Sequence, residues 1–321
     1  MWGGNTLGVA SRIKIKLSRS GFIQDTVRGY PVYRAWNPVG KIGPIAATFK
    51  PDVAVVQHQD TVPFAATLIA AGVPVVVYLR NLEYEELGGS LADLPKSVRY
   101  IANSRFTATA YRDRYAIDPV VLPPLVDPDR YRTPGKGNRA VMINPAREKG
   151  IDVVLDVAEL CPEIPFLIVE SWGMSDQIRQ RIERINAGGA QVTLHPSTDD
   201  MRSIYAEARI LLAPSQWEEA WGRVASEAHV SGIPVLGSDR GGLPEAIGPG
   251  GLIVPHDAPA ERWAEALSSL WHDEAAWTAR SEAAIDHASR NEMQMDGHID
   301  RLLNVINCAV KKLSANTERV S

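Results

Sequence analysis

Glu219 and Glu227 are the residues of this chain whose types and spacing point most directly to chemistry. Seven residues separate them, among them Ala220, Trp221, Gly222, Arg223 and Val224. The pattern puts Glu219 in a loop and Glu227 within the first two turns of a helix over 224–230. The amides of Gly222, Arg223 and Val224 then sit near the helix N-terminus without intrahelical partners. Such an end favours an anion by ~0.3–1 kcal/mol, and by up to ~2 kcal/mol when partly buried. Gly222 lets a ligand approach the backbone closely. Carboxylates beside an anion site do not hold the anion; they accept hydrogen bonds from hydroxyls, and sugar and ribose hydroxyls are the natural donors. Taken singly, either glutamate is most simply a solvated helix-start acid. The ensemble is what points to a sugar carried on a phosphate.

The elements that must position these residues are legible on both sides. Residues 210–213 are a short apolar run closed by Pro214 and Ser215, and Gly232 and Pro234 stop the helix. Val235 and Leu236 resume a buried strand, and residues 252–254 make another. Short apolar strands alternating with helices imply a parallel sheet. The same alternation runs through most of the chain. Strands are expected at 30–35, 53–57, 73–79, 98–102, 120–122, 140–143, 166–169 and 192–194. Helices are expected at 6–19, 40–49, 61–71, 104–115, 174–186, 259–270, 274–289 and 297–313, with Ser104 as an N-cap. Ile151, Val154, Leu155 and Ala158 fall on one face of a further helix. Ile13, Ile15 and Leu17 also allow a strand within the first helical stretch.

The runs PSQWEEAWGRVASEA and GIPVLGSDRGGLPEAI resemble the donor-site signature of the family 4 retaining glycosyltransferases, among the glycosyl transferases group 1. That resemblance implies the α/β GT-B fold: two Rossmann-like domains with parallel sheets facing across a cleft. The expected division is an acceptor-side domain over 1–126, a linker over 127–139 and a nucleotide-sugar-binding domain over 140–296. A C-terminal helix at about 299–313 is expected to pack back on the first domain. The resemblance also implies a donor site in NPAREKG, where Lys149 before Gly150 matches a residue that neutralises the diphosphate. Asn144 stands at the family's arginine position, with Arg147 three residues later as a substitute. By the same resemblance, Gly3 and Gly4 form a glycine loop facing the donor phosphates, and His195 and Pro196 lie beside the base. No strand fits ahead of Gly3, so the first sheet is expected to lack its first strand, or the start to have been read downstream of the true one. The histidine that many family members carry near the sugar is missing: Tyr78, Leu79, Arg80 and Asn81 occupy its place, and His58 belongs to another loop. Gly241, Gly242 and Glu245 read as a structural turn and helix start.

Composition bounds the rest. The 321 residues are 45% hydrophobic and 22% charged, as in a soluble globular protein of two ordinary domains. No run approaches the ~20 apolar residues of a membrane span, and the first residues lack a signal peptide's apolar core. Cys161 and Cys308 alone make neither a disulfide framework nor a cysteine zinc site, which suggests a reducing cytoplasm. Within a net charge of −4, residues 1–60 carry +5 and the remainder −9. This basic portion could contact an anionic acceptor or the inner face of a membrane, or be an ordinary solvated face. Without an aromatic-interleaved basic stripe, nucleic acid is not expected. Asp127 and Asp129 spell an Asp-x-Asp pair, but beside proline-rich turns it reads as helix-start chemistry and not as a metal site. Gly135, Gly137 and Ala140 spell a G-x-G-x-x-A pattern that precedes a strand, and so fail the dinucleotide context.

The function expected is metal- and cofactor-independent transfer of a sugar, with retention, from a nucleotide-diphosphate donor to a hydroxyl acceptor. Glu219 would accept from the sugar and Glu227 from the ribose, while Lys149 with Arg147 would hold the leaving diphosphate. The rival readings are a GT-B protein that binds a nucleotide sugar without turnover, and a sugar-nucleotide epimerase, against which the glutamate pair argues. Donor hydrolysis would separate the first rival from an active transferase.

Overall fold

The computed structural model describes residues 8–133, 136–171 and 173–317, with the side chains of residues 9 and 312–317 excepted. The expected loop at Gly3 and Gly4, the strand before it, and Trp172 lie outside the described residues. The elements in order are α1 (Val9–Leu17), β1 (Phe22–Asp25), β2 (Val32–Ala35), α2 (Ile42–Phe49), β3 (Ala54–Gln57), α3 (Thr61–Ala70) and β4 (Val75–Leu79). They continue with β5 (Arg99–Ala102), α4 (Arg105–Tyr115), β6 (Val120–Val121), α5 (Pro128–Tyr131), β7 (Arg139–Ile143), α6 (Ile151–Leu160), β8 (Pro165–Val169), α7 (Asp176–Ala187) and β9 (Gln191–His195). Last come α8 (Met201–Glu207), β10 (Ala208–Ala213), α9 (Arg223–His229), β11 (Val235–Ser238), α10 (Leu243–Ile247), β12 (Gly251–Val254), α11 (Ala260–His272), α12 (Glu274–Ala288) and α13 (Met295–Thr317).

Contacts divide the chain into two units. One takes the described residues up to Ile101, Tyr111–Val120 and those from Leu303 onward; the other takes Ala102–Ala110 and Val121–Leu302. The first contains the strands β3 and β4, paired in parallel, in a sheet ordered β3-β4-β5-β6. Val75, Val76, Val77 and Leu79 are buried, as the β-branched run at 73–79 requires of a central strand. The Ile13–Ile15–Leu17 alternation lies in helix α1, as the helical reading of this stretch had it and not the strand alternative. One feature differs from expectation: residues 22–35 form an antiparallel hairpin of β1 and β2, where only β2 was expected. Its Asp25–Arg34 ion pair, at 2.6 Å, joins residues of opposite strands.

The second unit is built on one six-stranded parallel sheet ordered β12-β11-β10-β7-β8-β9. Successive residues of a strand point to opposite faces, and the two core clusters obey that period. Ala140, Met142, Phe166, Ile168, Ile210 and Leu212 pack with α6, α7 and α11. Val141, Leu167, Val169 and Leu211 pack with α8, α9 and α10. Both faces are therefore covered, which is why these strands read as continuous apolar runs. Ile151, Val154, Leu155 and Ala158 bury the expected face of α6. The segment expected to be a linker contains α5, whose Tyr131 is buried in the second cluster against Tyr205. Asp127 is the N-cap of α5: its side chain accepts from Asp129 N at 3.1 Å, the helix-start role its sequence suggested. Ser104 caps α4 through Thr107 N at 2.9 Å. Among the described residues no helix is long and apolar enough to cross a membrane.

Candidate functional site

The strand order of the second unit locates its site. The crossovers run outward from the centre, β7 to β8 to β9 on one side and β10 to β11 to β12 on the other. The order reverses between β7 and β10, and a parallel sheet binds ligands at the carboxyl ends of its strands at such a switch point. Lys149 follows β7 and Glu219 follows β10. Their side chains meet there, with Nζ 2.6 Å from Glu219 Oε1. The same oxygen accepts from Ser215 Oγ at 3.0 Å. Both members of the ion pair are partly exposed, at 24% and 17%, so a ligand can reach them.

Backbone contacts fix this loop. Gln216 N and Trp217 N both donate to Glu148 O, at 2.8 and 3.1 Å. Ser238 Oγ donates to Ser215 O at 2.6 Å, and Gly242 N to Glu219 O at 2.6 Å. Gly241, at φ +61, lies so close that a Cβ would stand 2.2 Å from Glu219 O. Gly150, at φ +84, likewise leaves only 2.0 Å between a Cβ and Pro214 O. No other residue type fits either place without moving the backbone that carries Lys149 or Glu219.

Glu227 lies deeper, 8% exposed, one turn into α9. Its Oε2 accepts from Tyr205 OH at 2.9 Å, and Arg223 stands 3.3 Å from its Oε1. Burial raises the Glu227 pKa; Arg223, Tyr205 and Tyr131 pull the other way. Burial, with the nearby carboxylate, also pushes the Tyr205 phenol well above its ordinary value. Gly222 opens α9 at φ +97, and no side chain caps that end. Ala220 and Val224 are half-buried, and Ala220 O accepts from Thr107 Oγ1 at 3.3 Å.

The chain matches the sequence model of the family described as Glycosyl transferases group 1 over residues 127–290, just over half its length. It belongs to that family. The D-inositol 3-phosphate glycosyltransferase of Segniliparus rotundus is 30% identical over 223 residues, covering 61% of this chain and 49% of that protein. The protein of the same name from Corynebacterium kroppenstedtii is 45% identical over 94 residues, 29% of this chain and 20% of its own. The chain thus spans about half the length of these curated relatives or less. Among solved structures, a glycosyltransferase from Rickettsia africae ESF-5 superposes with a TM-score of 0.70 at 18% identity, covering 86% of this chain and 81% of that one. Anabaena Alr3699/HepE, solved in complex with UDP and glucose, gives 0.67 at 21%, covering 83% and 81%. The fold is of the GT-B type.

Within this family member, the expected site residues divide. Lys149 and Glu219 are in contact; Gly222, Arg223 and Glu227 share the start of α9. Trp221, expected among the substrate-binding residues, turns its side chain into the core. The indole is 4% exposed in the core, and its Nε1 donates to Ser226 Oγ at 2.9 Å. Only its backbone remains for a ligand. Arg147 is 65% exposed, with its Nε 3.8 Å from Asp152 Oδ2. His195 ends β9; its carbonyl accepts from Glu170 N at 3.0 Å, and its ring Nδ1 is 2.7 Å from Pro196 O. The carbonyls of His195 and Pro196 thus each have one partner within the protein.

Three contributors escaped the sequence reading. Ser215 holds Glu219 and Tyr205 holds Glu227. Glu245 accepts from Arg105 N at 2.9 Å and Phe106 N at 2.7 Å, closing the N-terminus of α4. Ser215 directly follows the expected strand end at Pro214, which was its one local signal. The partners of Tyr205 and Glu245 are 22 and 140 residues distant, so no local spacing announces them.

Proposed function

We propose that the protein transfers a sugar from a nucleotide-diphosphate donor to a hydroxyl acceptor with retention at the anomeric carbon. The observation that carries this reading is the Lys149–Glu219 contact at the sheet's switch point. An ammonium held at this place is suited to the charge that develops on a departing diphosphate. Glu219 is suited to accept from the hydroxyls of the sugar that moves. Glu227, buried yet paired on one oxygen by a phenol, accepts from ribose hydroxyls. In this reading Lys149 and the amides of Gly222, Arg223 and Val224 take the place of a metal ion, and no cofactor is needed. The front-face departure and attack that the family resemblance implies requires no enzymic nucleophile. The setting is the cytoplasm, with the basic portion of residues 1–60 facing an anionic acceptor or membrane surface.

Incubation with radiolabelled nucleotide sugars tests the proposal, with release of labelled sugar to water or to an added acceptor as the expected result. Glu227→Ala should weaken nucleotide binding by about tenfold, the scale of one buried hydrogen bond to a charged group, with little change in turnover at saturation. Asn144 at the family's arginine position favours a second reading, a nucleotide-sugar-binding protein without turnover. Measurable nucleotide binding with no release from any donor would favour that second reading.

A further inference from the structure

Asn144 leaves the carboxyl end of β7 in the left-handed region, at φ +68. It is 8% exposed, and among the described residues no donor reaches its Oδ1. Its backbone is conventional: the amide donates to Val169 O at 2.9 Å, anchoring the turn to β8. Asparagine tolerates this conformation better than most residues do. Glycine would tolerate it at least as well and would bury no unpaired carbonyl. The side chain therefore costs folding free energy that the turn does not require. An unpaired buried group calls for an explanation, and a ligand that completes its hydrogen bonding is one.

The position narrows the ligand. Leu212 of β10 lies opposite Met142 of β7, so the chain leaves both strands at the same level of the sheet. Asn144 begins the turn that leads to Lys149, and Pro214 begins the turn that leads to Glu219. A diphosphate offers acceptors only: it could take a hydrogen bond from the Asn144 Nδ2 group, but it cannot satisfy Oδ1. A hydroxyl can. An aspartate would present the same oxygen but would add a negative charge beside the diphosphate that Lys149 serves.

We propose that Asn144 Oδ1 accepts a hydrogen bond from a hydroxyl of the sugar carried on the nucleotide diphosphate, so that Asn144 helps to determine donor specificity. This rests on the donor reading given above. It assigns the cation-replacing position to the sugar and leaves the phosphates to Lys149.

Isothermal titration with UDP-glucose, UDP-galactose, UDP-N-acetylglucosamine and GDP-mannose, with UDP and GDP as sugarless controls, tests the inference. Asn144→Gly keeps the left-handed turn and removes the carbonyl. The expected result is unchanged affinity for UDP or GDP, about tenfold weaker binding of the preferred nucleotide sugar, and a melting temperature equal to or above that of the unsubstituted protein. Deoxy analogues of the preferred sugar should include one that both proteins bind equally. Asn144→Asp provides a second variant that retains the acceptor oxygen: it should bind the diphosphate and the nucleotide sugar more weakly in equal proportion. Undiminished sugar-nucleotide affinity in Asn144→Gly would overturn the inference and leave the donor reading intact. An equal loss for UDP and UDP-glucose would also overturn it, because the amide would then serve a phosphate. If the unsubstituted protein bound none of these compounds, both readings would fall.

Discussion

The loops at the switch point of the second unit and the hairpin of the first are held in different ways. In the second, the loops after β7 and β10 press against neighbouring backbone, with Gly150 against Pro214 O and Gly241 against Glu219 O. Hydrogen bonds to Glu148 O and from Gly242 N then tie the loop at both ends. In the first unit, Gly29 and Gly72 also have positive φ, yet a Cβ at either would meet nothing within 4 Å. The hairpin there keeps Val27, Tyr30 and Trp36 exposed and is held by side chains, through Asp25–Arg34 and the Phe22–Tyr33–Phe49 rings. Backbone-to-backbone closure fixes positions to a fraction of an ångström, which preorganised chemistry needs. Side-chain closure leaves latitude. The difference shows that the switch point is a place where this molecule has fixed its geometry.

That contrast can be broken by experiment. Glu219→Ala should cut sugar transfer by about 10²–10³-fold, the scale of losing one preorganised electrostatic group, while leaving nucleoside-diphosphate affinity within a few fold. Asp25→Ala in the hairpin should leave transfer unchanged. Equal losses in steady-state turnover would remove the distinction. Gly241→Ala should destabilise by about 3 kcal/mol, because strain and backbone overlap act together. Gly72→Ala, strained but unobstructed, should cost about 1 kcal/mol. Urea midpoints of the two variants would sharpen the comparison, and equal midpoints would sink it. Glu245→Ala removes the acceptor for Arg105 N and Phe106 N and should cost about 1 kcal/mol, as the loss of a helix cap does, read as a lowered melting temperature.

The smallest expected effect is a pH dependence. Because burial raises the Glu227 pKa above 4.5, the folded chain holds that proton more tightly than the unfolded chain. The resulting contribution to stability is fully present below about pH 4.5 and is lost as pH rises through the folded value. Glu227→Gln should remove this downward slope, so that the urea midpoints of the two proteins diverge between pH 4 and pH 8. Parallel curves would show that the folded chain does not raise the carboxyl's pKa.

Where local periodicity dictates structure, the sequence could be read well ahead of the coordinates. The face of α6, the strands of the six-stranded sheet and the caps at Ser104 and Asp127 all follow from spacing within one turn or one strand. The hairpin partner β1 was not legible, since Gln24 and Asp25 break any apolar pattern and the strand pairs only with its neighbour. Trp221 sat between the two glutamates and read as part of their site; the register of α9 instead brings it to Ser226. Arg147 was named as the substitute for a missing arginine; in the structure its Nε stands 3.8 Å from Asp152. Lys149 and Glu219 are 70 residues apart, and only the reversal of strand order between β7 and β10 brings them together. A resemblance to known signatures could name both residues. Spacing alone could not.

The Lys149–Glu219 ion pair has a consequence for how binding is ordered. Each charge is the other's counter-ion in the unliganded protein. On the proposed reading, an arriving diphosphate exchanges with the carboxylate for the ammonium and frees Glu219 Oε1 from its strongest partner. A freed oxygen is then open to a sugar hydroxyl. Affinity for the sugar thus rises once the diphosphate is seated, and by thermodynamic reciprocity the sugar raises affinity for the diphosphate by the same factor. On that reading a single 2.6 Å contact would make the two halves of the donor cooperative ligands of one another.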